Sequence, residues 1–263
     1  MYKVLFSYFG GKKNMFKEIV SRLDYSKGCY VELFGGSAQI LINKPPHKIE
    51  IINDIDDDIF TLWKVVKENP KALMNELKNV LYSRKVFEYY KKLNPKNDLE
   101  KAVKCYVLYN FSILSVKRNF AVSPKINLPQ TYRNRLEIIP LIYERFSQAY
   151  ILNDNYSSVL ELIKDETDIM LYADPPYWGT EYYYKNSSFK KEDHYKLAEY
   201  LNNAKYSVMI SYYYFDEIEK LYPQKKWIYH RFRKQKNSSK FVKTPSDVEE
   251  LLLCNYNTEL ALM

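Results

Sequence analysis

Residues 29–54 constrain the fold most. Residues 29–34 are strand-like, Gly35-Gly36-Ser37 follows directly, Ile40 and Leu41 begin a helical apolar pattern, and residues 49–52 form a second short apolar run ending at Asn53-Asp54. Strand, glycine turn and helix make the opening unit of a nucleotide-binding sheet, in which the glycines let a ligand approach the backbone. Asp54 falls about 20 residues after the turn, where such sheets place an acid on ribose hydroxyls. It is therefore the expected ribose ligand. Asp56, Asp57 and Asp58 are expected to cap and charge-complement the next helix.

A second stretch carries the chemistry. Residues 169–173 are continuously apolar and read as a buried strand, which Asp174-Pro175-Pro176-Tyr177 ends sharply. Open α/β sheets bind ligands at the carboxyl ends of their strands. There a carboxylate, a rigid Pro-Pro turn and an aromatic ring suit a flat polar substrate. The Asp174 carboxylate and Pro175 carbonyl can accept from an amino group, and Tyr177 offers a stacking face. Taken alone, the four residues fit an ordinary proline turn equally well.

Around these stretches the chain alternates in character. Near the N-terminus, Tyr8, Phe9, Gly10, Gly11 and Lys12 form a glycine turn opening a helix, which can present N–H groups and a lysine to an anion. In isolation, a plain helix cap with a solvated lysine explains it better. Residues 59–149 carry a helical period almost throughout, predicting helices over 59–67, 70–81, 86–93, 99–114 and 135–146. The least regular part, residues 115–135, holds Lys117, Arg118, Asn119, Lys125, Gln130, Tyr132, Arg133 and Arg135. Cations and forked polar side chains on a loop are what phosphate and base-edge contacts require. A solvated loop fits most of them singly. From residue 150 the α/β rhythm returns, and Asp154 follows a short strand where a carboxylate could accept from the amino group of a cofactor's adenine. Residues 179–188 read as a loop covering the site, whose Tyr182, Tyr183 and Tyr184 suit stacking or packing alike. Two final strands, 227–232 and 250–256, flank a loop with Arg233, Lys234, Lys236, Lys240 and Lys243, able to grip a phosphate backbone.

Bulk properties narrow the class. With 46% apolar and 16% aromatic residues, the 263-residue chain can fill a large α/β core. The frequent tyrosines are expected to reflect AT-rich coding, which also favours Lys, Asn and Ile, more than function. The net charge of +8 favours an anionic partner such as nucleic acid. The cysteines are widely spaced and the histidines do not cluster, so no disulfide framework and no metal are expected. No apolar run approaches a membrane span, and the first residues lack a secretory pattern, so a cytoplasmic protein without membrane contact is expected.

Together these blocks resemble the Dam-type adenine-specific DNA methyltransferases over nearly the whole length. Residues 7–12 (Ser-Tyr-Phe-Gly-Gly-Lys) are similar to that family's N-terminal block, and residues 31–37 (Val-Glu-Leu-Phe-Gly-Gly-Ser) to its first cofactor motif. Asn53-Asp54-Ile55 resembles its ribose motif, Asp174-Pro175-Pro176-Tyr177 its catalytic tetrapeptide, and Glu249-Glu250-Leu251-Leu252 its last strand. One position departs: the family's F-x-G-x-G turn ends here in Ala38, a small helix-former expected to be tolerated.

The resemblance implies a Rossmann-like methyltransferase sheet of α/β class with an antiparallel last hairpin and a helical target-recognition insertion. The catalytic domain would comprise residues 1–59 and 150–263, the recognition domain residues 60–149. It further implies S-adenosylmethionine as cofactor and double-stranded DNA as partner of a monomeric enzyme. Tyr8, Gly10, Gly11 and Lys12 would hold the methionine end, with Lys12 facing its carboxylate. Glu32, Phe34, Gly35 and Gly36 would line the pocket, Asp54 would take the ribose, Asp154 the adenine, and Asp174 would border the cofactor. Lys117, Arg118, Lys125, Arg133, Lys236 and Lys240 would contact DNA. Methylation of cytosine N4, RNA adenine or a glutamine side chain, and a silent DNA-binding relative, are the competing readings.

Overall fold

The computed structural model describes residues 3–8, 11–181, 189–233 and 249–258. In chain order its elements are α1 (Phe16–Val20), β1 (Cys29–Glu32), α2 (Gln39–Asn43), β2 (Ile49–Asn53), α3 (Asp57–Glu68), α4 (Pro70–Lys78), α5 (Arg84–Lys92), α6 (Asp98–Phe111), α7 (Leu128–Leu136), α8 (Ile139–Ser147), β3 (Ala149–Leu152), α9 (Tyr156–Ile163), β4 (Ile169–Ala173), α10 (Lys191–Asn202), β5 (Ser207–Tyr213), α11 (Ile218–Leu221), β6 (Ile228–Arg233) and β7 (Glu249–Cys254). The strands form a seven-stranded sheet in the order β3-β2-β1-β4-β5-β7-β6. Two compact units are present: Met1–Phe16, Gly35–Pro46 and Glu50–Asn153, and Lys17–Phe34, His47–Ile49 and Asp154–Met263.

In the first unit, β2 and β3 pair in parallel from Glu50↔Ala149 to Asn53↔Leu152. The helices begin where short polar side chains can accept from their first free N–H groups. Asp56 caps α3, Asn69 α4, Ser83 α5 and Asn97 α6. α3 packs along α6 and α8, with the Trp63 ring edge-on to Phe146 at 6.0 Å. The expected helix over 135–146 is in fact two, and the loop expected over 115–135 ends early. α7 starts inside that loop because Asn127 accepts from the Gln130 N–H and Pro129 suits a first turn. Pro140 cannot sit in a helix interior, so α8 restarts around it.

In the second unit, β1 pairs with β4 and β4 with β5, all parallel, while β7 runs antiparallel to both β5 and β6. Every residue of β4 is buried, as expected for a parallel strand covered on both faces. No helix among the described residues is long and apolar enough to cross a membrane.

Candidate active site

The reversal of strand order between β1 and β4 is the topological switch point of the second unit, and ligands of open α/β sheets bind outside the carboxyl ends of strands there. At those ends lie Glu32, the last residue of β1, Phe34 just beyond it, and Asp174 after β4. The Leu33 N–H donates to the Tyr172 carbonyl at 3.0 Å, locking the two strand ends together. Glu32 is buried and accepts from the Tyr30 hydroxyl at 3.0 Å. The half-buried Phe34 ring meets Tyr156 at 5.9 Å and Phe189 edge-on at 5.8 Å. Those two aromatics were not singled out by sequence, since neither lies in a motif.

The tetrapeptide is rigidly held. Pro175, Pro176 and Tyr177 are buried and Asp174 is half-buried. The Ser211 hydroxyl donates to Asp174 Oδ1 at 2.7 Å. The Tyr177 ring lies edge-on to Tyr213 at 4.5 Å, and its hydroxyl donates to Glu250 at 3.3 Å. Burial, then the charges of Asp174 and Glu250, push the Tyr177 phenol well above its ordinary range, so it stays a neutral donor. Behind it, Thr180 donates through N–H and hydroxyl to the Tyr177 carbonyl, both at 2.8 Å. Glu181 Oε1 accepts from the Gly179 N–H at 3.0 Å and meets His194 Nε2 at 2.9 Å, while His194 Nδ1 meets the Tyr212 hydroxyl at 2.8 Å. Burial lowers the His194 pKa. The neutral ring that follows donates through Nε2 to the carboxylate and accepts from Tyr212 at Nδ1. Asp154 is exposed just after β3.

In the first unit, the glycine turn is tied to the end of β2. The Gly35 N–H donates to the Asn53 carbonyl at 2.8 Å, and a Cβ at Gly35 would lie 2.5 Å from the Trp63 ring. Gly36 has φ +51°, which strains any other residue, and a Cβ there would press the Tyr8 ring at 3.1 Å. Ala38, expected as a helix-former, instead adopts the left-handed conformation (φ 56°) as N-cap of α2, a strain of about 1 kcal/mol that a glycine would not carry. Asp54 accepts from the Gly36 N–H at 2.7 Å and the Asp56 N–H at 2.9 Å. Burial raises its carboxyl to about 6 against those donors. Lys12 is buried, and the Gly11 N–H donates to the Tyr8 carbonyl at 2.9 Å. Gly10 lies outside the described residues.

Of the residues expected on DNA, Arg118, Lys125 and Arg133 are exposed. Lys117 is turned inward: its ammonium lies 4.4 Å from the centroid of the Tyr109 ring and 3.3 Å from Asp58 Oδ2. Tyr109 in turn stacks on Phe6 at 4.5 Å and meets Tyr8 at 5.6 Å. Lys236 and Lys240, with Lys234, Lys243 and the three tyrosines 182–184, lie outside the described residues.

A mostly parallel sheet closed by an antiparallel hairpin, with an acid-Pro-Pro-aromatic turn at its switch point, defines a Rossmann-like methyltransferase fold. Residues 8–236 match the D12 class N6 adenine-specific DNA methyltransferases, and the chain belongs to that family. It is also similar to the Type II methyltransferase M.CviBI of Paramecium bursaria Chlorella virus NC1A, 20% identical over 226 residues that cover 84% of this chain and 86% of that protein.

Proposed function

We propose that this protein moves a methyl group from S-adenosylmethionine to N6 of an adenine turned out of double-stranded DNA, with Asp174 and the Pro175 carbonyl as acceptors of the amino hydrogens. The observation that carries this reading is the tetrapeptide at the carboxyl end of β4, at the switch point of the sheet. An exocyclic amine is a weak nucleophile because its lone pair is delocalised into the ring. Two acceptors aimed at its N–H bonds favour the tetrahedral nitrogen and stabilise the positive charge that develops on attack. Tyr177 provides the face for a base that must leave the stack to be reached.

The residues fit the proposed methyl donor. Gly36 leaves room for Tyr8 where a side chain would intrude, Asp54 offers a part-buried carboxylate suited to ribose hydroxyls, and Lys12 a buried cation suited to a carboxylate. S-adenosylmethionine supplies an electrophilic methyl on a sulfonium. Tyr8, Gly10, Gly11 and Lys12 take its amino-acid end in this reading, Glu32, Phe34, Gly35 and Gly36 line its pocket, Asp54 and Asp154 take its nucleoside, and Asp174 borders it. Arg118, Lys125, Arg133, Lys236 and Lys240 contact phosphates or bases. The chain's similarity to a Type II methyltransferase supports a place in restriction-modification. A cytoplasmic monomer completes the proposal.

Mass spectrometry of nucleosides from unmethylated DNA incubated with protein and S-adenosylmethionine is expected to give N6-methyladenine. A methyl group found only on cytosine, or on no nucleoside, overturns the proposal.

Asp54 makes cofactor binding pH-dependent. The ionised carboxylate accepts from two ribose hydroxyls more strongly than the neutral acid, and its pKa is about 6. Affinity for S-adenosylmethionine is expected to fall as pH drops through that value, by up to about tenfold per pH unit, and Asp54→Asn should bind weakly without this dependence. The sign for stability is opposite. A carboxyl raised on folding binds its proton more tightly in the folded state, so Asp54 favours folding more as pH falls from about 6, and acid unfolding at this group cannot mimic the loss. Calorimetric titration on both sides of that value tests it; a flat wild-type profile removes Asp54 from the ribose.

A further inference from the structure

Ser211 is fully buried near the end of β5, opposite Leu252 of β7, and is far in sequence from any motif of the site. Its Oγ lies 2.7 Å from Asp174 Oδ1, 3.2 Å from the Tyr172 hydroxyl and 3.4 Å from the Ala173 carbonyl. A serine hydroxyl has one proton to give. The short contact to a carboxylate oxygen takes it, as charge-assisted bonds do, leaving the Oγ lone pairs to accept from Tyr172. Burial and then the charge of Asp174 hold the phenol's pKa well above the ordinary value, so it keeps its proton and has it to donate to Ser211. Hydrogen bonds therefore run one way: Tyr172 hydroxyl to Ser211 Oγ to Asp174 Oδ1.

We propose that Ser211, backed by Tyr172, is a positioning residue that fixes the Asp174 carboxylate for methyl transfer. This rests on Asp174 being the acceptor of the adenine amino group. The terminal torsion of an aspartate is broad and two-fold, so a carboxylate held only by its backbone turn presents its oxygens over a range of angles. A donor on Oδ1 pins the plane. The donor itself is pinned twice, by burial and by the phenol on β4, the strand that leads into the tetrapeptide. Neither residue touches substrate. Both act through Asp174, and Tyr172 acts through Ser211.

The order of action makes the relay testable with the full-length protein. Single-turnover methyl transfer to a long unmethylated duplex DNA, at saturating S-adenosylmethionine, is measured for Ser211→Ala, Ser211→Thr, Tyr172→Phe, the Ser211→Ala/Tyr172→Phe pair and Asp174→Ala, alongside cofactor and DNA affinity and melting temperature. Ser211→Ala is expected to slow the step about tenfold, with both affinities within about twofold of wild type. Ser211→Thr keeps the hydroxyl and is expected to recover most of the rate. Tyr172→Phe costs about twofold to threefold, and the pair is no slower than Ser211→Ala alone. An unimpaired Ser211→Ala, a loss explained by cofactor affinity, a multiplicative pair, or a Ser211→Thr protein that melts like wild type yet stays slow overturns the relay. Asp174→Ala separates the two readings. If it is inactive while Ser211→Ala is unimpaired, only the relay fails; if it too transfers at the wild-type rate, the catalytic reading of the tetrapeptide falls and the relay with it.

Discussion

Replacing Asp174 with alanine is expected to slow methyl transfer about a thousandfold, the loss seen when a preorganised group facing developing charge is removed. The reaction needs no covalent intermediate, so little besides positioning and electrostatics lowers its barrier. In the proposed mechanism Asp174 supplies both: it stands at the end of a fully buried strand, before two buried prolines that fix the backbone, with Oδ1 held by Ser211. Alanine removes acceptor and charge together. Asparagine keeps one acceptor oxygen and loses the charge, so Asp174→Asn should fall between, about a hundredfold slow. Cofactor affinity should change far less than the rate, because the effect belongs to the transition state. Single-turnover assays beside equilibrium titration measure both. An Asp174→Ala protein keeping more than about a tenth of the rate would mean that another group accepts the amino hydrogens.

The two stretches proposed to carry this chemistry are legible because each is local. The glycine turn and Asp54 lie close enough in sequence for spacing to identify them, and the structure joins them through the Gly36 N–H. The continuous apolar run of β4 also reads directly, since burial on both faces leaves no polar alternation. Features that depend on distant partners were not legible. Ser211 meets Asp174 across 37 positions, and a lone serine within a strand has no pattern. Lys117 reads as one more loop cation, yet its ammonium is spent on Asp58 and the Tyr109 ring, contacts that periodicity cannot reveal. Ala38 was misread for a related reason: helix propensity describes residues inside a helix, whereas a cap can demand the left-handed conformation.

Glu50→Ala is expected to destabilise the protein by about 3–5 kcal/mol, the range for breaking a buried ion pair by removing one partner. Glu50 lies on β2, the strand that presents Asp54, and is only 2% exposed. Its carboxylate is held by Lys44, just past α2, and by Arg145 of α8 at 2.7 Å. Arg145 also donates to the Leu41 carbonyl at 2.8 Å and Lys44 to the Pro45 carbonyl at 3.0 Å. Alanine would leave two cations facing each other in a site where the Lys44 side chain has no solvent contact. At roughly 2–4 °C per kcal/mol for a chain of this size, the melting temperature should fall by about 10 °C. The deficit should itself depend on pH. Burial would raise the Glu50 carboxyl, but Arg145 and Lys44 outweigh it and hold the pKa below its ordinary value. A carboxyl depressed on folding contributes its stability in full above the unfolded pKa of about 4.3 and loses it as pH falls through the folded value. Wild type and Glu50→Ala should therefore differ most near neutrality and converge in acid. Thermal melts of both proteins from about pH 7 to pH 3 test this; a difference that stays constant across the range would mean that packing around β2, not the charge of Glu50, holds α2 and α8 to the strand that carries Asp54.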